Sequence, residues 1–136
     1  MNSEERTDQM EIRIYYEDTD AGGVVYHANY LRYFERARTE YLRERGLSVS
    51  ELAAQGNILP VVRIEIDYRA PAVYDDLLRI DTEVLGVGKT SFTVGQQVVR
   101  VYDGKLLVDC KVVLVCVSTK MKAKRLPAEL LQALSA

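Results

Sequence analysis

Tyr16-Glu17-Asp18-Thr19-Asp20-Ala21-Gly22-Gly23-Val24-Val25-Tyr26-His27-Ala28-Asn29-Tyr30 joins two segments of different periodicity. Before it, Ile12, Ile14 and Tyr16 alternate with Arg13, Tyr15 and Glu17, the period-2 pattern of a strand with one buried face, which predicts a strand near 10–18. After it, Tyr30, Leu31, Phe34, Ala37, Tyr41 and Leu42 recur at helical spacing. The quoted stretch is therefore read as a strand-to-helix loop. It carries two carboxylates, Asp18 and Asp20, the glycine pair Gly22-Gly23 and the one histidine of the chain, His27. Such a loop turns backbone N–H groups and the positive end of a helix dipole toward its contents, a setting that suits an oxyanion.

Outward from the loop, the helix is predicted from about Ala28 to Arg45, because Gly46 followed by Leu47 forms a left-handed cap with an apolar contact behind it. Arg32, Glu35, Arg36, Thr39, Glu40, Arg43 and Glu44 take its other side and read as a solvated face, with Arg36 and Glu40 one i,i+4 ion pair. Ser48-Val49-Ser50-Glu51 is a capping box opening a short second helix that Gly56 ends. The period then changes to 2. Val62, Ile64, Ile66 and Tyr68 alternate with charged residues in a half-buried strand closed by Pro71, and Leu78, Ile80, Thr82 and Val84 alternate in the next. Further strands are predicted near 90–102 and 106–117, joined by the hairpin signal Asp103-Gly104. The run Val112 to Val117 is apolar on both faces, as in a central strand or one covered by a partner subunit. Pro127 to Leu134 makes a short amphipathic helix. The order implies an α+β layer arrangement, a five-stranded antiparallel sheet curled round one long helix, whose exposed edges and outer face are commonly covered by dimerisation.

A chain of 136 residues, 48% of them hydrophobic, fits one globular domain over 1–136, with 1–9 as a loose N-terminal arm. A net charge of −2 gives no bulk electrostatic reason for nucleic-acid binding. The polar, acidic start lacks a signal-peptide core, and the longest apolar run is too short to span a bilayer, which points to a soluble cytoplasmic protein. Cys110 and Cys116 share one predicted strand, where six residues at roughly 3.3 Å each separate them by about 20 Å, too far for a disulfide. They read as buried thiols.

An Asp-x-Asp pair alone is as easily a turn or a helix cap as a site. If strand geometry persists, Asp18 and Asp20 point the same way; if a turn has begun, one faces the pocket alone. A metal site built on Asp18, Asp20 and His27 lacks a second histidine or a cysteine pair to complete it. A nucleophile elbow of the G-x-S-x-G type is absent, and neither cysteine sits where its pKa would fall. What remains is a carboxylate acting on a carbonyl held at a helix N-terminus, with no cofactor and no metal.

The motif from Tyr16 to Tyr30, followed by Phe34-Glu35-Arg36-Ala37-Arg38, resembles the hot-dog-fold 4-hydroxybenzoyl-CoA thioesterase family, most of all its Tol-Pal-cluster, YbgC-type acyl-CoA thioesterases. The similarity runs from about Ile12 to Pro127. It implies an acyl-CoA thioester hydrolase acting as a homo-oligomer, usually a tetramer built from dimers, with sites at the dimer interface. The family's catalytic aspartate matches Asp20, not Asp18. His27 matches the position whose backbone N–H polarises the thioester carbonyl, and its imidazole matches an assisting histidine. Gly23, which lets a ligand approach the backbone, and Tyr30 join them as substrate-binding positions. Lys89, Thr90 and Ser91 match the segment that contacts the CoA nucleotide, and Lys120 and Lys122 match basic positions late in the chain. Where the benzoyl-CoA member carries two arginines, this chain has Gly88-Lys89. Asp20 would deprotonate a water or attack directly to form a mixed anhydride. Two other readings stand beside this one. A dehydratase is disfavoured because Ala28-Asn29-Tyr30, not Pro-Gly, follows His27; a non-catalytic scaffold would use the pocket to bind acyl thioesters or acyl carrier protein.

Overall fold

The computed structural model describes residues 8–135, so most of the predicted N-terminal arm lies outside the described residues. Asp8 and Gln9 are not loose. The Asp8 carbonyl accepts the Thr82 N–H at 2.9 Å, and Gln9 opens the first strand.

That strand, β1 (Gln9–Arg13), is followed by the long helix α1 (Asn29–Glu44) and the short helix α2 (Val49–Ala54). Then come β2 (Val61–Tyr68), β3 (Leu77–Val87), β4 (Ser91–Arg100), β5 (Lys105–Val115) and the last helix, α3 (Ala128–Ser135). The strands form one antiparallel sheet in the order β1-β3-β4-β5-β2, which leaves β2 at an edge. β5 lies inside the sheet, between β4 and β2; Val112 and Leu114 are buried on its inner face, while Val113 and Val115 on the other face are only partly buried.

β1 stops five residues short of the predicted end. Asp18 is the cause: its Oδ2 accepts the Tyr15 N–H at 2.8 Å, which curls Tyr16–Asp18 into a 3-10 turn. Tyr16 is thereby thrown out to 80% exposure, although it continues the alternation of Ile12 and Ile14.

α1 buries Tyr30, Tyr33, Phe34, Ala37, Tyr41 and Leu42 against the sheet. Its C-terminus closes as predicted: Gly46 has φ +83°, and Gly46 and Leu47 donate back to Arg43 and Leu42. The Arg36–Glu40 pair does not form. Glu40 pairs with Arg43, and the Arg36 guanidinium stands 5.9 Å from the Tyr33 ring centre. Gln96, a fully buried polar side chain of β4, locks the helix onto the sheet. Its Nε2 donates to the Phe34 carbonyl (3.0 Å) and to Thr82 Oγ1 (3.1 Å), while its Oε1 accepts from Arg38 Nη1 (3.1 Å). An amide can do this at no charge cost, which a carboxylate in the same place could not.

The edge strand departs most from expectation. Ile64, Ile66 and Tyr68 lie opposite Val112, Cys110 and Val108, so they share the inner, helix-facing side of the sheet. The alternation holds from Ile64 on, but Ile64 and Tyr68 are 40% and 47% exposed, and a register shift between Val61 and Arg63 takes Val62 out of it. α1 packs mainly over β1 and β3, at the opposite side of the sheet, so among the described residues β2 is covered only in part, at Ile66 by the core and at Tyr68 by Tyr30 and His27.

Candidate active site

The loop between the 3-10 turn and α1 separates the roles of its two aspartates. Asp18 is spent on structure: Oδ2 holds Tyr15 N–H, Oδ1 takes the Tyr33 hydroxyl at 2.9 Å, and its carbonyl accepts both Tyr26 N–H and Asn29 Nδ2 at 3.0 Å. Asp20 lies past the turn and is exposed. Its Oδ1 accepts the Gly22 N–H at 2.8 Å, and its Oδ2 has no hydrogen-bond partner among the described residues.

Both glycines have a local reason. Gly23 adopts φ +84°, where its N–H returns to the Asp20 carbonyl, and a Cβ on Gly22 would sit 3.3 Å from Asp20 Oδ1. The loop is closed by a bridge between Thr19 and Val25 and pinned to the chain before β3 by a second, between Val24 and Val73.

His27 precedes α1 and is exposed, its ring 4.7 Å from that of Tyr26 and edge-on to Tyr68 at 6.3 Å. The N-cap, Ala28, offers no capping side chain, and the first turn holds no acidic residue. The His27 and Ala28 N–H groups have no acceptor among the described residues. Helices normally begin with a side-chain cap or a compensating carboxylate, so this terminus is left with donors and partial positive charge. Tyr30 lies beneath, 2% exposed, its hydroxyl oxygen accepting the Ala72 N–H at 3.3 Å; burial pushes its pKa up. Among the described residues no cluster of His, Cys, Asp or Glu is arranged to hold a metal ion.

The predicted basic residues gather elsewhere. Leu126 N–H binds the Lys89 carbonyl (2.9 Å), Cys116 N–H binds that of Thr90 (2.7 Å), and Gly88 N–H binds that of Ser91 (2.7 Å). These bonds lay the β3–β4 turn alongside residues 116–126. Lys120 and Lys122 both donate their backbone N–H to Ser118 Oγ in a turn there, with Met121 at φ +62°. Lys89, Lys120 and Lys122 are exposed and have no acidic partner among the described residues. This basic end adjoins Val61 of β2, whereas the Asp20 loop adjoins Tyr68, the other end of the strand. Seven residue steps at roughly 3.3 Å put the two ends about 23 Å apart.

An apolar cavity of about 90 Å³ also lies at the basic end, under the C-terminal half of α1, walled by Tyr41, Leu42, Val49, Leu59, Phe92 and Leu134. Glu35 and Thr39 line it too, so that side of α1 is not solely a solvated face.

Sequence reasoning missed Tyr33 and Tyr68. Tyr33 fills a helical core position and gives no sign of the carboxylate it holds, and Tyr68 follows the buried-face alternation of β2.

A five-stranded antiparallel sheet wrapped on one long helix is the architecture of hot-dog thioesterases. Residues 15–134 match the thioesterase-like superfamily, and the chain belongs to it. The acyl-CoA thioester hydrolase YbgC of Escherichia coli is 45% identical over 117 residues, 85% of this chain and 87% of that protein. The acyl-CoA thioesterase YbgC of Haemophilus influenzae is 44% identical over 120 residues, 87% of each. Among solved structures, the 1,4-dihydroxy-2-naphthoyl-CoA thioesterase of Synechocystis superposes with a TM-score of 0.88 at 26% identity, covering 93% of this chain and 94% of that one. Cys110 and Cys116 are free and buried, and no described helix is long and apolar enough to cross a membrane.

Proposed function

We propose that the chain hydrolyses acyl-CoA thioesters, Asp20 driving attack on a carbonyl polarised by the His27 and Ala28 amides. One observation carries this: a carboxylate with a free oxygen stands on the loop leading into an uncapped helix N-terminus. As the carbonyl becomes tetrahedral, charge grows on its oxygen, and donors already aimed there stabilise it without reorganising. Deprotonation of water by Asp20 and direct attack by Asp20 pass through the same oxyanion, so both use these amides. The departing thiolate needs no strong acid. The YbgC relatives, 45% and 44% identical and named for this activity, support the assignment.

The working unit in this proposal is a twofold dimer. The partly covered inner face of β2, with Val61, Ile64 and Tyr68 exposed at a sheet edge, calls for a second copy. Antiparallel pairing of β2 with its copy sets the Tyr68 end of one chain beside the Val61 end of the other. The Asp20 loop of one subunit then meets Lys89, Lys120 and Lys122 of its partner, with the partner's cavity within reach of the acyl tail. Exposed lysines there suit the CoA phosphates. An acyl carrier protein would present the same thioester without the nucleotide, which makes acyl-CoA the better match. We place the enzyme, as one hot-dog unit, in the cytoplasm where CoA esters occur.

A spectrophotometric thiol-release assay across acyl-CoA chain lengths tests the proposal. Release of CoA by the wild-type chain, abolished in Asp20→Asn, supports it. No release on any acyl-CoA by a folded dimer would leave the scaffold reading instead.

A further inference from the structure

Tyr68 ends β2, held in register opposite Val108 of β5, and its hydroxyl donates to the His27 carbonyl oxygen at 3.0 Å. Its ring stands at 88° to the His27 ring and lies 5.7 Å from that of Tyr30. The edge strand thus grips the peptide group that opens α1. No side chain caps this terminus from its N–H side, so its geometry depends on what holds the carbonyl side.

We propose that Tyr68 is a positioning residue for thioester hydrolysis: through the His27 carbonyl it sets the direction and donor strength of the Ala28 amide, one of the two that receive the oxyanion. This rests on the function proposed above. The carbonyl of His27 and the N–H of Ala28 belong to one planar peptide, so a bond that fixes one end fixes the aim of the other. A carbonyl that accepts a hydrogen bond also makes the N–H of its own peptide a stronger donor, because chained hydrogen bonds polarise one another. The strand is a better anchor than the loop, since β2 is tied to β5 along its length. Tyr68 does not touch the substrate in this scheme; it acts through the peptide.

Tyr68→Phe keeps the ring packing on His27 and Tyr30 and removes only the hydroxyl. Complete loss of an oxyanion donor costs about 10²–10³ in turnover, so losing the bond that aims and strengthens one should lower kcat by roughly tenfold. KM should stay within about twofold, because these amides count most in the transition state. The pH profile of kcat should keep its shape, as the Asp20 carboxylate is untouched. Thermal midpoint and sedimentation should match wild type. Tyr68→Leu, which also loses the ring, should lower kcat similarly and in addition lower the midpoint. Wild-type kcat in folded Tyr68→Phe would overturn the proposal, and so would a kcat loss that merely tracks a lower midpoint or a dissociated dimer. A wild-type chain that releases no thiol would instead overturn the proposed function, so the two failures are told apart.

Discussion

The Tyr33 hydroxyl donates to Asp18 Oδ1 at 2.9 Å, tying the first turns of α1 to the turn that precedes Asp20. Tyr33 is 2% exposed, and burial together with this bond pushes its pKa well above the ordinary tyrosine range, so it stays a donor at any working pH. Asp18 is the node where the 3-10 turn, the loop and the helix meet; Asp20 shares none of those bonds. Of two carboxylates two residues apart, one is therefore consumed by the fold and the other keeps an oxygen without a partner among the described residues.

Tyr33→Phe should consequently act on stability first. It removes a neutral donor from a charged, half-buried acceptor, a bond worth about 1.5–3 kcal/mol. A drop of about 2 kcal/mol in urea unfolding is expected, with kcat reduced less than tenfold. Asp18→Asn should be milder, because the amide can turn so that its oxygen accepts from Tyr15 while its nitrogen donates to the Tyr33 oxygen. Unchanged stability in Tyr33→Phe would contradict the structural role given to Asp18.

Asp20→Asn should do the reverse. Asn still accepts the Gly22 N–H, so the loop survives, but it is neither a base nor a useful nucleophile. A positioned general base contributes about 10²–10⁴ in rate, and kcat should fall by at least that range. Steady-state kinetics beside a thermal melt separates this variant from Asp18→Asn; near wild-type turnover in folded Asp20→Asn would mean the chemistry belongs to another residue.

The order of elements, the helix end at Gly46, the Ser48 cap and the loop's place between strand and helix were legible because each depends on neighbours in sequence. Ser48 Oγ does accept the Glu51 N–H, as the capping box implies. Alternation misled twice, for two different reasons. At Tyr16 a side-chain bond from Asp18 broke the strand that the pattern continued. At β2 the pattern was right for Ile64, Ile66 and Tyr68, but a register shift between Val61 and Arg63 takes Val62 out of it, and Ile64 and Tyr68 stay half exposed although Tyr30 of α1 packs against Tyr68. Tyr68 and His27 are 41 residues apart, and only the folded sheet brings them together. The remoteness of Lys89 from Asp20 along β2 is a property of topology that spacing in sequence does not reveal.

Alkaline pH should destabilise the protein through Cys110. Burial raises its thiol pKa from an ordinary 9.0 to about 11. The folded state then holds its proton where the unfolded state releases it, so stability is intact below about pH 9 and falls as pH rises toward 11. Two units correspond to roughly 3 kcal/mol at most. Tyr30 and Tyr68, also raised, act in the same direction. Cys110→Ala removes the cysteine's share alone. Urea midpoints at pH 8 and pH 10.5 should differ less in Cys110→Ala than in wild type, and an equal difference would show that the thiol does not carry the effect.

Mixing two defective chains tests whether each site is shared. Lys89→Ala should raise KM far more than it lowers kcat, since a phosphate remote from the carbonyl is held alike in ground and transition states. Asp20→Asn should lose kcat. If one site takes Asp20 from one subunit and Lys89 from the other, a mixed dimer of these variants contains one site with both residues intact and one with neither. Unfolding and refolding the two together gives mixed dimers in about half the population, which restores roughly a quarter of wild-type kcat/KM at low substrate. If Asp20 and Lys89 of the same chain served one site, every site would keep one defect, and mixing would add nothing to the average of the separate variants. Ile64→Asp provides the control: a charge on the exposed inner face of β2 should shift sedimentation to monomer and abolish the rescue when it is present in both chains. Ile64→Asp chains that still sediment as a dimer and still show rescue would remove β2 from the interface.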